Sequence, residues 1–266
     1  MPESQAFYVA AAALSGLLLG SFLNVCIYRI PRDLSVVLPR SFCPECGHQI
    51  AWYDNIPLLS YLVLRGRCRS CSGRIGIRYP LVELTTAVLL ALVAYRYGWT
   101  LASLKWALFE LLMIALFWTD LEERILPDEF TLGGIVAGFV LVFFVRVHGG
   151  LTDLLLPEAP PLLRSFINAA AGAAIAIPLW FLGLIVGRLR KREALGLGDV
   201  KLAVLIGVFL GFEACLPALM IGSVLGSIGG VLYAFASRQR IAETELPMGT
   251  FFCLGAALLP LFMRLD

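Results

Sequence analysis

The stretch Phe7-Tyr-Val-Ala-Ala-Ala-Ala-Leu-Ser-Gly-Leu-Leu-Leu-Gly-Ser-Phe-Leu-Asn-Val-Cys-Ile-Tyr28 runs 22 residues without a charge. A helix of that length spans the ~30 Å hydrocarbon core of a bilayer. Working outward, Phe130–Val145, Ser165–Gly187 and Leu246–Met263 are further charge-free apolar stretches. Two more carry charges inside them: Pro80–Tyr97 holds Glu83, and Thr100–Thr119 holds Lys105 and Glu110. Between Lys201 and Arg238 the only charge is Glu213, close to Gly211 and Pro217. That spacing predicts a short span Val200–Phe212, a turn, and a second span Ala214–Ser237. The total is eight, with both termini on one side. Composition agrees: 59% of the 266 residues are hydrophobic and 15% charged, against about 25% charged in soluble domains. The mean hydropathy is +0.85. Such a chain cannot cover a globule with polar surface, so a soluble domain, a disordered chain and a secreted disulfide scaffold are excluded. The expected fold class is an all-α polytopic membrane protein with a small cytoplasmic zinc-binding loop domain.

Net charge, 21 basic against 19 acidic residues, says little until the charges are placed. One set of loops carries Arg29, Arg32, Arg40, Arg65, Arg67, Arg69, Arg74, Arg78, Arg124, Arg188, Arg190, Lys191, Arg192, Lys201, Arg238 and Arg240. The opposite side carries Arg96, Lys105, Arg146, Arg164 and Arg264. The excess of Lys and Arg in cytoplasmic loops puts the first set inside and both termini outside. No positive charge precedes the first span, so it reads as an anchor and not as a cleaved signal peptide. The expected divisions are a first span, 1–28; a cytoplasmic loop domain, 29–79; and a seven-span membrane domain, 80–266. At about 50 residues the loop domain is near the size at which a metal is often needed to hold a fold. The expected partner besides substrate is the lipid bilayer; no nucleic acid is expected.

Four of the seven cysteines form two knuckles in that loop, Cys43-Pro-Glu-Cys46 and Cys68-Arg-Ser-Cys71. Paired C-x₂-C elements of this spacing suit a closed Cys₄ zinc site of structural type. Gly47 and Gly73 are expected to permit the tight turns. Cys26, Cys215 and Cys253 read as small core residues. Acids at membrane depth are the second signal, because placing them there is costly. Asp120 ends the third span, and Asp199 opens the sixth within Gly196-Leu-Gly-Asp199-Val-Lys201. Oppositely running spans bring both acids to one side at similar depth. Each also has a plain structural reading: Asp120 as an interfacial helix end, Asp128 as a cap of the fourth span, Asp199 as a cap paired with Lys201. Glu83 and Glu110 are further buried acids, with Arg78 and Lys105 as their expected partners.

Taken in order, Gly20-Ser-Phe-Leu-Asn-Val25 with Arg29-Ile-Pro31, the paired C-x₂-C loop, Asp120 with Leu126-Pro-Asp128, and Gly-Leu-Gly-Asp199-Val-Lys resemble the type IV prepilin leader peptidase/N-methyltransferase family. The resemblance runs from about Gly20 to Gly255. It implies an inner-membrane aspartic endopeptidase that cuts the basic leader from prepilin or pseudopilin precursors at the cytoplasmic face. It further implies S-adenosylmethionine-dependent methylation of the new N terminus. The family's catalytic aspartates fall on Asp120 and Asp199, and Gly20, Ser21 and Asn24 are the candidate methyl-donor residues. One departure stands out: the family often reads Pro-Phe-Gly-Pro where this chain has Pro247-Met-Gly-Thr250, a change expected to touch neither aspartate. A secondary transporter that uses the same acids is the alternative from another class.

Overall fold

The computed structural model describes residues 3–147, 149–190, 195–237 and 246–262. The basic residues Lys191, Arg192, Arg238, Arg240 and Arg264, and the expected last residue of the eighth span, Met263, lie outside the described residues. Secondary structure among the described residues is helical apart from two isolated bridges, Phe42 with Gln49 and Arg67 with Arg74. The chain divides into two compact units, Met1–Ser103 and Leu104–Asp266.

In the first unit, α1 (Glu3–Arg29) packs along α3 (Arg78–Tyr97). Glycines set how close they come. A Cβ built on Gly16 would lie 2.6 Å from the Ala87 Cα, and one on Gly20 would lie 2.8 Å from the Glu83 Cα. Small residues at a crossing let membrane helices approach backbone to backbone, where dispersion and not the hydrophobic effect holds them. Asn24 donates to the Tyr79 carbonyl at one end of the pair, and Tyr8 stacks on Trp99 at the other. The remaining faces of both helices are exposed and apolar, as at Leu14, Leu18, Leu84, Val88 and Leu92, which is the surface that faces lipid. The loop between the helices contains the short α2 (Leu59–Val63). It is anchored to α1 by Arg29, whose guanidinium donates to the carbonyls of Ser35 and Pro39.

The second unit contains the remainder of α4 (Leu101–Glu123), then α5 (Asp128–Val142), α6 (Gly150–Leu155), α7 (Pro161–Ala174), α8 (Ala176–Arg190), α9 (Leu197–Ser237) and α10 (Met248–Phe262). Its centre is the first arm of α9, where Leu202, Leu205, Ile206, Val208, Phe209 and Leu210 are all buried. α5 seats Gly134 against Leu205 and Gly138 against Val208 and Phe209. α7 crosses at Gly172 and Gly207, where a Cβ on either would fall 2.2–2.3 Å from the other's backbone.

Among the described residues, five helical stretches are long and apolar enough to cross a membrane: Ser4–Arg32, Arg78–Tyr97, Leu101–Glu123, Pro161–Leu189 and Leu197–Phe235. α10 is apolar but shorter, as is α5 at 15 residues. The last of the five is broken at Gly211 (φ 75°, ψ 177°). The break reverses the chain. A straight helix would carry Gly226 about 40 Å from Asp199. Instead α10 runs back along the second arm, Leu246 by Gly230, Phe251 by Gly222 and Gly226, Gly255 by Ala218. The same stretch of α10 also meets Asp120 beside Asp199. The Phe212 amide, which loses its helical partner at the break, donates to Asn168 Oδ1.

Candidate active site and metal centre

Asp120 lies in the last turn of α4 and is buried. Its Oδ2 accepts two hydrogen bonds from one residue of α10, from the Thr250 amide at 2.6 Å and the Thr250 hydroxyl at 2.9 Å. Asp199 lies in the first turn of α9 and is half-buried. Its amide donates to the Gly196 carbonyl, closing the turn that opens the helix. The two carboxyl groups lie within electrostatic range of each other, and the buried Cys253 lies within range of both. Leu126 packs between the start of α9, which bears Asp199, and the start of α10, which holds Asp120: a Cβ on Gly198 would meet it at 3.3 Å and one on Gly249 at 3.0 Å. Larger residues at either glycine would push Leu126 into the acids or spread the helices.

The plain readings of the neighbouring charges give way to a different pairing. α5 is capped by the backbone of Pro127 with no side-chain cap. Asp128 is free of that duty and forms an ion pair with Lys201 from the first turn of α9. Lys201 is therefore turned toward α5, which ties the start of α5 to the start of the Asp199 helix. Thr250 corrects another expectation. The departure from the family pattern at this position does touch an aspartate, because threonine supplies both an amide and a hydroxyl donor where proline has neither. The sequence marked Thr250 only as a departure from the family pattern; its role as a donor had no signal there, since α10 carries no charge.

The four cysteines converge. Their sulfurs all lie within 4.8 Å of one another. Each knuckle is a backbone loop closed twice, Cys43 N to His48 O and Gly47 N to Cys43 O in the first, Cys68 N to Gly73 O and Ser72 N to Cys68 O in the second. Gly47 takes the left-handed conformation (φ 70°), as expected, but in the second knuckle Ser72 takes it (φ 60°) and not Gly73. Gly73 is needed for closeness instead: a Cβ there would lie 1.7 Å from Glu45 Oε2. The Cys71 and Ser70 amides point at the Cys68 sulfur and draw its thiol down to about 7. Cys71 has the Gly73 amide as donor, yet desolvation and the three neighbouring sulfurs push it up to about 12. Four thiols so close cannot all ionise without a cation among them. The cluster has the composition and geometry to hold a metal ion.

A cavity of about 260 Å³ opens between the cysteine loop and the ends of α1 and α3. Ser21, Asn24 and Glu83 line it, whereas Gly20 does not. Glu83 is buried and accepts from the Leu58 amide at 2.8 Å in place of the expected Arg78. Glu110 is fully buried, and neither of its oxygens has a hydrogen-bond partner among the described residues. Lys105 lies 4.4 Å over the Trp106 ring.

Residues 14–97 match the family model of the bacterial peptidase A24 N-terminal domain, and residues 107–231 match the type IV leader peptidase family. A prepilin leader peptidase/N-methyltransferase of Pseudomonas putida is 33% identical over 94% of this chain and 89% of its own length. The chain belongs to the prepilin leader peptidase/N-methyltransferase family. A relative of that name from Neisseria gonorrhoeae is 34% identical over 89% of this chain and 86% of its own length. One from Myxococcus xanthus is 41% identical over 86% of this chain, which covers 64% of the relative's length. No solved structure matches the chain. The two matched family domains correspond to the two compact units: the cysteine cluster and the cavity belong to the first, the aspartates to the second.

Proposed function

We propose that this membrane protein cleaves the leader from type IV prepilin or pseudopilin precursors with Asp120 and Asp199, and methylates the N terminus so released. The observation that carries the peptidase reading is the acid pair, two carboxyl groups within electrostatic range at one end of their helices. A transporter would be expected to hold such acids near mid-membrane on paired broken helices.

Two close carboxyl groups share one proton, because both cannot comfortably ionise. Asp120, its Oδ2 fixed by the two Thr250 donors, acts as the ionised partner and draws a proton from water onto its other oxygen. The water oxygen attacks the scissile carbonyl carbon while Asp199 gives its proton to the carbonyl oxygen. Collapse of the tetrahedral intermediate breaks the C–N bond: the leaving amine takes the proton held by Asp120, and the hydroxyl that becomes the new carboxyl carbonyl returns its proton to Asp199. The substrate's apolar helix remains in lipid, with its basic leader at the cytoplasmic face of the inner membrane. The basic loops of this chain lie on that side and its termini lie outside.

The metal at the cysteine cluster is zinc in a structural role. A Zn–S bond of about 2.3 Å puts tetrahedral sulfurs about 3.8 Å apart, and the Cys43 and Cys71 sulfurs are 3.9 Å apart. Four thiolates leave no position for a reacting water. S-adenosylmethionine supplies the methyl group for the second activity. The deciding experiment is incubation of purified Asp120→Asn and Asp199→Asn with a prepilin that carries its leader. Each variant is expected to lose cleavage at a protein level equal to the wild type. Near-normal cleavage by either would remove that residue from the pair.

A further inference from the structure

We infer that the cavity between α1, α3 and the cysteine loop is the methyl-transfer site, taking a sulfonium methyl donor together with the freed N-terminal amine, with Glu83 as the base for that amine. The inference rests on the methyltransferase half of the proposed function and adds where it occurs and which residue serves it.

Gly20 and Ser21 of the Gly20-Ser-Phe-Leu-Asn24 motif seat Glu83, and Asn24 shapes the cavity wall beside it. Gly20 lets α1 approach until its Cβ position is 2.8 Å from the Glu83 Cα. The Ser21 hydroxyl donates to the Glu83 carboxylate. Asn24 donates to the Gly20 and Tyr79 carbonyls, which orients its amide. The Asn24 Oδ1 then remains buried, with no partner among the described residues and with the side chain on the cavity wall. A buried acceptor without a donor is costly unless a ligand supplies one. The other acids on the wall are committed elsewhere. Asp54 is held in a two-pronged pair by Arg69, and Glu45 lies against Cys71 and Gly73.

The rest of the lining fits the two substrates. Tyr28, Tyr53, Tyr61 and Tyr79 line the cavity; Arg32, Arg69 and Arg78 lie over the rings of Tyr28, Tyr53 and Tyr79, which leaves the Tyr61 ring to attract a cationic sulfonium. The cavity lies where α1 ends and α3 begins, so it can receive the N terminus of a helix that stays in lipid. That N terminus is largely an ammonium near neutral pH and has no lone pair to offer. Moving its proton to the buried Glu83 carboxylate removes two charges from a low-dielectric site at once. The neutral amine then forms the new N–C bond as the donor's C–S bond breaks, with the bonding pair left on sulfur as a neutral thioether. The methylated amine keeps the new positive charge, and Glu83 returns its proton to water.

The test uses the full-length protein in detergent, S-adenosylhomocysteine for binding and a synthetic pilin N terminus that needs no cleavage. Glu83→Gln is expected to bind S-adenosylhomocysteine within about fivefold of wild type while methylating at least a hundredfold more slowly. Glu83→Asp is expected to recover part of the rate. A purely structural role would instead move binding and rate together. Ultraviolet cross-linking of radiolabelled S-adenosylmethionine to the wild-type chain gives a readout that does not depend on variant folding. Label is expected in peptides from residues 21–29 or 42–83. Label confined to 104–266, or undiminished methylation by Glu83→Gln, overturns the inference and leaves the methyltransferase reading intact. A wild-type chain that neither methylates the synthetic N terminus nor takes up label overturns both.

Discussion

Thr250 donates twice to one oxygen of Asp120, so a single residue of α10 decides how that carboxylate faces the site. A hydrogen bond to a charged group contributes about 1.5–3 kcal/mol. Thr250→Val keeps the amide donor and the side-chain shape but deletes the hydroxyl. Its kcat for leader cleavage should fall about tenfold, equivalent to ~1.4 kcal/mol in the barrier, with Thr250→Ser close to wild type. Equal rates for Val and Ser would show that the hydroxyl contributes nothing to catalysis. The acids themselves were visible in the sequence because charge at membrane depth is rare. Thr250 stood out only as a departure from the family pattern, and its link to Asp120 was not visible, since a neutral residue on a helix without charges acquires its role only from what folds against it.

At the scale of elements, the second unit is built on crossings where glycine permits backbone contact. Gly207 and Gly172 meet so closely that a single methyl group at either would fall 2.2–2.3 Å from the opposite backbone. Gly207→Ala must therefore push α7 away from the first arm of α9. A cost of about 2–3 kcal/mol is expected, seen as a Tm several degrees lower in detergent. Gly133→Ala provides the contrast, because nothing lies within 4 Å of its Cβ position. There the methyl should leave Tm unchanged or raise it slightly, since alanine favours the helix by up to about 1 kcal/mol. The break at Gly211 was legible as a glycine near a charge and a proline. The turn between two spans predicted there, Val200–Phe212 and Ala214–Ser237, is where the break falls; what holds the turn was not legible, because it depends on α10 packing along the second arm and on Asn168 Oδ1 accepting from the Phe212 amide.

At the scale of the whole molecule, the two activities are proposed to reside in different units, which would make them separable. Asp120→Asn and Asp199→Asn should still methylate a pre-cleaved pilin N terminus, as mass spectrometry of that peptide would show. Failure to do so would mean that one site serves both reactions. The loop that walls the methyl-transfer cavity is held by its cysteines, by Arg29 and by the Asp54–Arg69 pair. Purified protein is expected to contain one equivalent of zinc, measured by plasma emission. Cys68→Ser should lose it, with faster proteolysis between Arg40 and Arg78, because folding energy at such a site is largely metal-binding energy. Wild-type protein free of zinc after reduced, chelator-free purification would count against the metal.

The sequence alone determined the solvent, the helical class and the residues able to do chemistry. Each follows from composition along the chain: apolar runs long enough for a bilayer, two C-x₂-C knuckles, and acids where acids are expensive. The tertiary structure alone decided which partners those residues have. Lys201 pairs with Asp128 instead of Asp199, Glu83 accepts from a loop amide instead of Arg78, and Ser72 instead of Gly73 takes the left-handed turn of the second knuckle. The physical reason is range. Hydrophobicity and local turn chemistry act over a few residues and can be read along the chain, whereas a hydrogen bond such as Thr250 to Asp120 joins residues 130 positions apart and exists only once the helices between them have packed.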